Sequence, residues 1–175
     1  MEPASKPSIL QNVANISTIV VSVLLSVVLI KVFLLPPPGR PPMAARSLVG
    51  LNMKQSLPDI VWAKNKRTLV LALSTQCHFC TDSAPFFQRI QKEAAKSVKM
   101  LAVLPQAVED SRKYLEGEGV HVDDVKQAQL SRIGVTGTPT LLLVDSTGKV
   151  ADAWQGKLQP EQEAGVLAVL KKEVL

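Results

Sequence analysis

Hydrophobic and polar positions divide the chain into a predicted membrane helix and a predicted α/β domain. The first apolar run, residues 16–35, reads ISTIVVSVLLSVVLIKVFLL and is apolar on every side of a helix. About 20 such residues are needed to cross the hydrocarbon core of a bilayer. The single charge in the run, Lys31, lies near one end, where a long side chain can reach the interface. We expect an uncleaved transmembrane anchor, preceded by a short polar tail over residues 1–15.

Two other interpretations fit this run less well than a membrane anchor does. A buried core helix would show a stripe of charged residues at helical spacing, and the run has a single charge near one end. A cleaved signal peptide needs small residues at the cleavage site, but the nearest candidate, Met-Ala-Ala at residues 43–45, begins with a bulky side chain. The pattern therefore favours an anchor that is retained.

Residues 36–58 form a predicted linker. They begin with PPPGRPP, in which five of seven residues are proline. This composition favours an extended, semi-rigid polyproline spacer, with a ligand for proline-binding modules as the alternative. The linker separates the anchor from a predicted domain over residues 59–175.

Within residues 59–175, continuous apolar runs alternate with helical patterns. Such runs predict central strands that are buried on both faces. The strands predicted in this way are residues 68–74, 98–104 and 140–145. A further strand, residues 150–155, is predicted from the hairpin turn that joins it to the last of these. The predicted helices are residues 78–95, 107–117, a short one at 122–131, and a last one from Pro160. This order predicts an α/β fold, with a mixed central sheet and helices on both faces.

The distribution of charge argues against a nucleic-acid partner. The formal net charge is +5, but residues 59–175 contribute only +1 and the first 58 residues contribute +4. Nucleic-acid binding requires a basic face with interspersed aromatic side chains, and only 4% of the residues are aromatic.

The same charges give a prediction for membrane orientation. Lys31 near the carboxyl end of the apolar run and Arg40 and Arg46 after it lie on one side, whereas only Lys6 and the amino terminus precede the run. An excess of basic residues on one side favours the cytoplasm for that side, although the rule weakens when a whole domain must be translocated. Charge alone therefore favours a cytoplasmic domain.

The two cysteines form a Cys-x-x-Cys motif at the junction between the first predicted strand and a helix. Unsatisfied N–H groups at a helix amino terminus favour an anion and lower the pKa of a thiol placed there. Two intervening residues bring the second sulfur within reach of the first for disulfide exchange. We predict that Cys77 is the exposed nucleophile and Cys80 the more buried resolving thiol. A protonated His78 between them would favour the Cys77 thiolate.

Other kinds of chemistry fit the two cysteines less well, and one of them stays open. A structural disulfide closing so short a loop would stabilise the fold little. Zinc needs four ligands and only His78 and His121 remain as histidine partners, while covalent haem needs histidine where Thr81 stands. Copper delivery by the two thiolates with the distant His121 stays open as an alternative.

The Cys-x-x-Cys motif is followed by two other features, and the order of the three resembles that in the thioredoxin superfamily. Pro85 lies inside the helix that follows the cysteines, and Gly-Thr-Pro-Thr at residues 137–140 precedes a predicted strand. Residues 59–175 look most like the membrane-anchored TlpA/ResA type of extracytoplasmic oxidoreductase. The resemblance implies a cis Pro139 against the disulfide, a Thr138 backbone that pairs with a bound substrate strand, and a helix kink at Pro85.

The resemblance also implies a function and a location. It implies a thioredoxin-fold thiol–disulfide oxidoreductase that needs no cofactor and acts on protein thiols and disulfides in the bacterial periplasm. Its further partners would be a redox protein that recharges the site and the lipid bilayer. Gln76 and the His-Phe pair differ from the family's usual aromatic residue and Gly-Pro pair, so substrate choice is not implied. A non-catalytic copper-binding or substrate-holding module on the same fold is the alternative.

Overall fold

A computed structural model describes residues 9–30, 43–62 and 67–172 of the chain. The chain divides into two compact units, residues 1–38 and 39–175. The described part of the first unit contains helix α1 (Ile9–Leu29), whose large apolar side chains from Val13 onward are between 46% and 63% exposed. Among the described residues, no helix meets the length and hydropathy needed to cross a membrane. Residues 31–35 of the predicted anchor lie outside the described residues.

The second unit contains a five-stranded sheet. Its strands are β1 (Arg67–Ala72), β2 (Lys99–Leu104), β3 (Asp124–Gln127), β4 (Thr140–Asp145) and β5 (Val150–Gln155). Its helices are α2 (Met43–Arg46), α3 (His78–Asp82), α4 (Ala84–Ala94), α5 (Val108–Gly117) and α6 (Pro160–Lys171), with a 3-10 helix at Leu130–Ile133. The strand order is β3-β2-β1-β4-β5. β1, β2 and β3 run parallel, whereas β4 is antiparallel to β1 and β5, so the predicted mixed sheet is confirmed.

Alternate residues of the central strand enter two hydrophobic cores, one on each face of the sheet. Leu69 and Leu71 of β1 join the first core, and Val70 and Ala72 join the second. The buried apolar side chains of α3, α4, α5 and α6 all belong to the first core. Helices were expected on both faces, but the longer helices lie on the first face, and the second face has only α2, the 3-10 helix and irregular chain.

Part of the predicted linker covers that second face. Ala45, Leu48, Met53 and Leu57 are all at most 6% exposed and belong to the second core. The segment is also joined to β5, since the Gly50 N–H donates to the Val150 carbonyl at 2.8 Å. Five of the linker's six prolines lie at residues 36–42, outside the described residues, whereas these four apolar residues, which follow them, are buried. The packed domain therefore begins before the predicted boundary at Asp59.

One predicted helix is wrong. Residues 122–131 were expected to form a short helix, but the structure places β3 and the start of the 3-10 helix there. β3 pairs in parallel with β2, and Val125 alone of its four residues is buried. So short a strand with one buried side chain shows no recognisable alternation, and its pairing with β2 decides its conformation.

The helix after the cysteines is interrupted where proline was expected to bend it. α3 ends at Asp82 and α4 begins at Ala84, with Pro85 in the first turn of α4. Proline lacks an N–H and is tolerated in a first turn, where that N–H would have no helical partner. The break leaves α3 as a short separate helix that carries the cysteine motif.

Candidate active site

Cys77 caps the amino terminus of α3. Its backbone is extended, with φ −96° and ψ 107°, and its sulfur accepts a hydrogen bond from the Cys80 N–H at 3.3 Å. The chain reaches this point from β1 through a turn in which the Cys77 N–H donates to the Ser74 carbonyl at 3.1 Å. The sulfur therefore occupies the position of a capping oxygen, where free N–H groups of the first helical turn can stabilise a thiolate.

The second part of the site is the loop before β4. The Cys77 thiol donates to the Thr138 carbonyl oxygen at 3.4 Å. The Thr138–Pro139 peptide bond is cis, as the resemblance implied. The loop is held from both sides, since the Thr140 hydroxyl donates to the Gly137 carbonyl and the Gly156 N–H donates to the Pro139 carbonyl, each at 2.7 Å. The structure thus brings Cys77 and the Thr138–Pro139 loop together.

The environment of Cys77 favours its thiolate. Partial burial raises the pKa of the Cys77 thiol. Hydrogen bonds from the side chains of Cys80 and Thr138, and from the backbone of Cys80 and Phe79, outweigh burial and lower the pKa below its ordinary value. A larger thiolate fraction near neutral pH follows.

Cys80 has the opposite environment. Its side chain is 1% exposed within the first core. Burial, followed by the hydrogen bond with Cys77, raises the pKa of the Cys80 thiol to about 12. Both cysteines are free thiols. The pair therefore combines an accessible, readily ionised sulfur with a protected, protonated one, which is the division of roles that stepwise disulfide exchange requires.

His78 projects away from the core toward Asp82, one turn along α3. Its side chain is 81% exposed, and its Nε2 lies 3.6 Å from the Asp82 carboxylate. Asp82 is also held by Lys157, whose ammonium donates to the same carboxylate oxygen at 2.8 Å. The hydrogen bond from Lys157 lowers the pKa of the Asp82 carboxyl. Burial has a smaller, opposing effect, and the charge of His78 contributes to the lowering. A positive charge on His78 would therefore be partly offset by the negative charge of Asp82.

The structure does not bring His121 to the cysteines. Two residues after His121, the Asp123 N–H donates to the Met100 carbonyl near the start of β2, whereas Leu73, just before the cysteine turn, donates to the Val103 carbonyl near its end. Three residues of strand separate these points by about 10 Å. In the part of the chain that the structure describes, no three His, Cys, Asp or Glu side chains are grouped to hold a metal ion. The copper alternative therefore lacks its third ligand.

Several residues near the cysteines were not expected from the sequence. Asp82 and Lys157 join α3 to the loop after β5, and the amide of Gln106 contacts Ser74 in the turn before Cys77. Each contact joins residues more than 30 positions apart, so no local spacing could have indicated it.

Comparisons with known proteins give a consistent picture. The family model for thioredoxin-like domains matches residues 58–171. A structure from Chlorobium tepidum, assigned as the thiol:disulfide interchange protein DsbE, is 26% identical, with a TM-score of 0.51 over 65% of this chain and 84% of that chain.

Two further structures share the fold at lower identity. The thioredoxin domain of a thiol-disulfide oxidoreductase from Bacteroides vulgatus is 20% identical, with a TM-score of 0.51 over 70% of this chain and 91% of that one. A thiol:disulfide interchange protein from Bacteroides sp. is also 20% identical, with a TM-score of 0.52 over 71% and 86%. The chain matches none of the curated proteins.

Proposed function

The chain belongs to the thioredoxin-like domain family, and we propose that it is a protein thiol–disulfide oxidoreductase working through Cys77 and Cys80. The observation that carries the proposal is the contrast between the two thiols. The Cys77 pKa is lowered at the cap of α3, while burial raises the Cys80 pKa to about 12. A structural cysteine pair has no need of this contrast, whereas an attacking and a resolving thiol do.

The reaction begins with the Cys77 thiolate. It attacks one sulfur of a client disulfide, forms a mixed disulfide, and releases the other client sulfur as a thiolate that takes up a proton. The Cys80 thiolate then attacks the Cys77 sulfur, which forms the Cys77–Cys80 disulfide and releases the second client thiolate. Two electrons pass from the cysteine pair to the client, and the reverse sequence oxidises a client dithiol.

The structure gives Cys80 a physical route to activation in the second step. The hydrogen bond with Cys77 and the charge of Cys77 both contribute to the high pKa of Cys80. Once Cys77 is bound in a mixed disulfide its sulfur carries no charge, so these two contributions disappear while burial remains. The pKa of the Cys80 thiol therefore falls at the step in which Cys80 acts as the nucleophile.

We propose that clients bind at the loop before β4. Thr138 carries its carbonyl within reach of the attacking sulfur, and the adjoining Pro139 is in the cis form. An extended client segment that pairs with the Thr138 backbone would present its disulfide to Cys77. Phe79, which is 56% exposed between the two cysteines, offers an apolar contact beside that disulfide.

We further propose that residues 16–35 anchor the protein in a bacterial inner membrane, with the second unit in the periplasm. The continuous apolar sequence and the exposed apolar side chains of α1 support attachment to a lipid bilayer. Disulfide exchange has clients in an oxidising compartment. A membrane or periplasmic redox partner would then restore the cysteine pair after each turnover.

The experiment that tests the function is the reduction of insulin disulfides by the full-length protein in detergent, with dithiothreitol as the electron donor. We expect catalysis by the wild-type protein and none above background by Cys77→Ser. Catalysis that is equal in the two proteins, or absent from both, would reject the proposed activity. A non-catalytic module that only holds clients would bind reduced insulin without accelerating its formation.

A further inference from the structure

Gln106 connects the end of β2 to the turn that carries Cys77. The residue is half-buried and follows Pro105, directly after the strand. Its Nε2 donates to the Ser74 hydroxyl oxygen at 3.2 Å, and its Oε1 accepts from the Thr75 N–H at 3.5 Å. One side chain thus contacts two consecutive residues of a loop that lies about 30 positions earlier in the sequence.

Ser74 transmits this contact to the redox motif. Its hydroxyl oxygen also accepts from the Gln76 N–H at 3.3 Å, and its carbonyl accepts from the Cys77 N–H at 3.1 Å. The conformation of the turn from Ser74 to Cys77 therefore depends on where Ser74 is held. The conformation of this turn places the Cys77 sulfur beside the Cys80 N–H.

The backbone of Gln106 is itself well supported. The fully buried Ser111, in α5, donates from its hydroxyl to the Gln106 carbonyl at 3.4 Å. The side-chain amide consequently projects from a fixed point between β2 and α5. A fixed donor and acceptor beside a turn restrict its motion more than solvent can.

We propose that Gln106 is a positioning residue of the redox site, which holds the Ser74–Cys77 turn and thereby keeps the Cys77 sulfur beside the Cys80 N–H. The inference rests on the proposed function in taking Cys77 as the attacking thiol. Gln106 acts through Ser74 and Thr75 and makes its side-chain hydrogen bonds to them, not to either sulfur. Its loss should leave the fold in place and weaken the hydrogen bonds that favour the Cys77 thiolate.

The test is the titration of Cys77, followed by ultraviolet thiolate absorbance in the full-length protein. Cys80, with a pKa of about 12, stays protonated over the range used. We expect Gln106→Leu to raise the Cys77 pKa by about half a unit to one unit, the scale of one hydrogen bond. Ser74→Ala should shift it in the same direction. The double variant should show less than the sum of the two single shifts, because both substitutions break the hydrogen bond between Gln106 and Ser74.

Gln127→Leu is the matched control. Gln127 donates from its Nε2 to the Pro105 carbonyl at 3.1 Å, so it also binds the end of β2 but not the cysteine turn. We expect an unchanged Cys77 titration in this variant. An unchanged pKa in Gln106→Leu, additive shifts in the double variant, or an equal shift in Gln127→Leu would each overturn the inference.

Insulin reduction measured on the same proteins separates this inference from the proposed function. In the wild-type background, Gln106→Leu should lower kcat while KM stays within about twofold, because client contacts are not removed. A wild-type protein without insulin reductase activity, but with the expected pKa shift in Gln106→Leu, would reject the function and leave the positioning role in place. An active wild-type protein with an unchanged Cys77 pKa in Gln106→Leu would support the function and reject the positioning role.

Discussion

The sulfur of Cys77 lies 3.4 Å from the carbonyl oxygen of Thr138, a residue 61 positions further along the chain. The sheet explains the contact. Ala72, at the end of β1, is paired with Thr140 at the start of the antiparallel β4. The segments that leave this pair, one forward to Cys77 and one back to Thr138, must therefore emerge at the same edge of the sheet. The proposed attacking thiol and the proposed client-binding loop meet there.

The first prediction concerns the separate roles of the two cysteines. In Cys80→Ser, Cys77 can still attack a client disulfide, but no thiol remains to resolve the product. We expect mixed disulfides with client proteins to accumulate in cells and to be detected as reducible high-mass species on non-reducing gels. Trapping should rise about tenfold or more over wild type, since the resolving step is lost.

Cys77→Ser serves as the control for trapping. Its remaining thiol is Cys80, which is buried and has a pKa of about 12, so it should capture no client. Capture by Cys77→Ser and none by Cys80→Ser would show that the roles are reversed.

The second prediction concerns His78. A positive charge on His78 would stabilise the Cys77 thiolate, and only the reduced protein contains that thiolate. His78→Ala should therefore raise the Cys77 pKa and make the reduction potential more negative. The shift of the Cys77 pKa should be less than about one unit, because the imidazole is 81% exposed and the carboxylate of Asp82 beside it partly offsets its charge.

Thiolate absorbance against pH and equilibration with a glutathione buffer measure the two shifts. Asp82→Asn is the companion variant: removing this carboxylate should shift both quantities in the opposite direction. An unchanged Cys77 titration in His78→Ala would mean that the cap of α3 sets the thiol pKa and that His78 faces solvent or the client.

The third prediction places the second unit outside the cytoplasm, against the local excess of basic residues after the anchor. Alkaline phosphatase fused to the carboxyl terminus should be active in a bacterial host, whereas a fluorescent protein that matures only in the cytoplasm should stay dark. Removal of residues 16–35 should release the fusion from the membrane fraction. An inactive phosphatase together with a fluorescent partner fusion would contradict the topology.

The fourth prediction concerns Asp145 at the β4–β5 turn. One of its carboxylate oxygens accepts from the Thr147 N–H at 2.8 Å, the Thr147 hydroxyl at 2.6 Å and the Lys149 N–H at 3.0 Å. Burial raises the pKa of the carboxyl, but these hydrogen bonds outweigh burial and lower the pKa below 3.8. A lowered folded-state pKa contributes stability that is present above the unfolded pKa and is lost as the pH falls through the folded pKa.

Asp145→Ala should therefore lower the free energy of unfolding at pH 7 by about 1 kcal/mol, a modest value for a partly exposed carboxylate. Urea unfolding at several pH values measures the difference, which should shrink below pH 3.8. Asp145→Asn keeps the shape without the charge and should show a smaller, nearly pH-independent loss. Equal destabilisation by Asp145→Ala at neutral and acidic pH would refute the role of the charge.

Much of this protein is determined by short-range sequence patterns. β1, β2 and β4 were predicted from their apolar runs, and β5 from the turn residues that join it to β4. The position of Cys77 at a helix start was also predicted from the local pattern. The cis Pro139 was implied by the resemblance, and the structure has it.

Only the tertiary structure decided the rest. β3 is a strand because β2 supplies its hydrogen bonds, and residues 45–57 belong to the domain because the second face of the sheet has room to bury them. Gln106 meets Ser74 because two parallel strands end side by side. A local pattern can determine an element, since its hydrogen bonds and buried face depend on residues a few positions apart. It cannot determine a contact whose partners are brought together by the pairing of strands distant in the sequence.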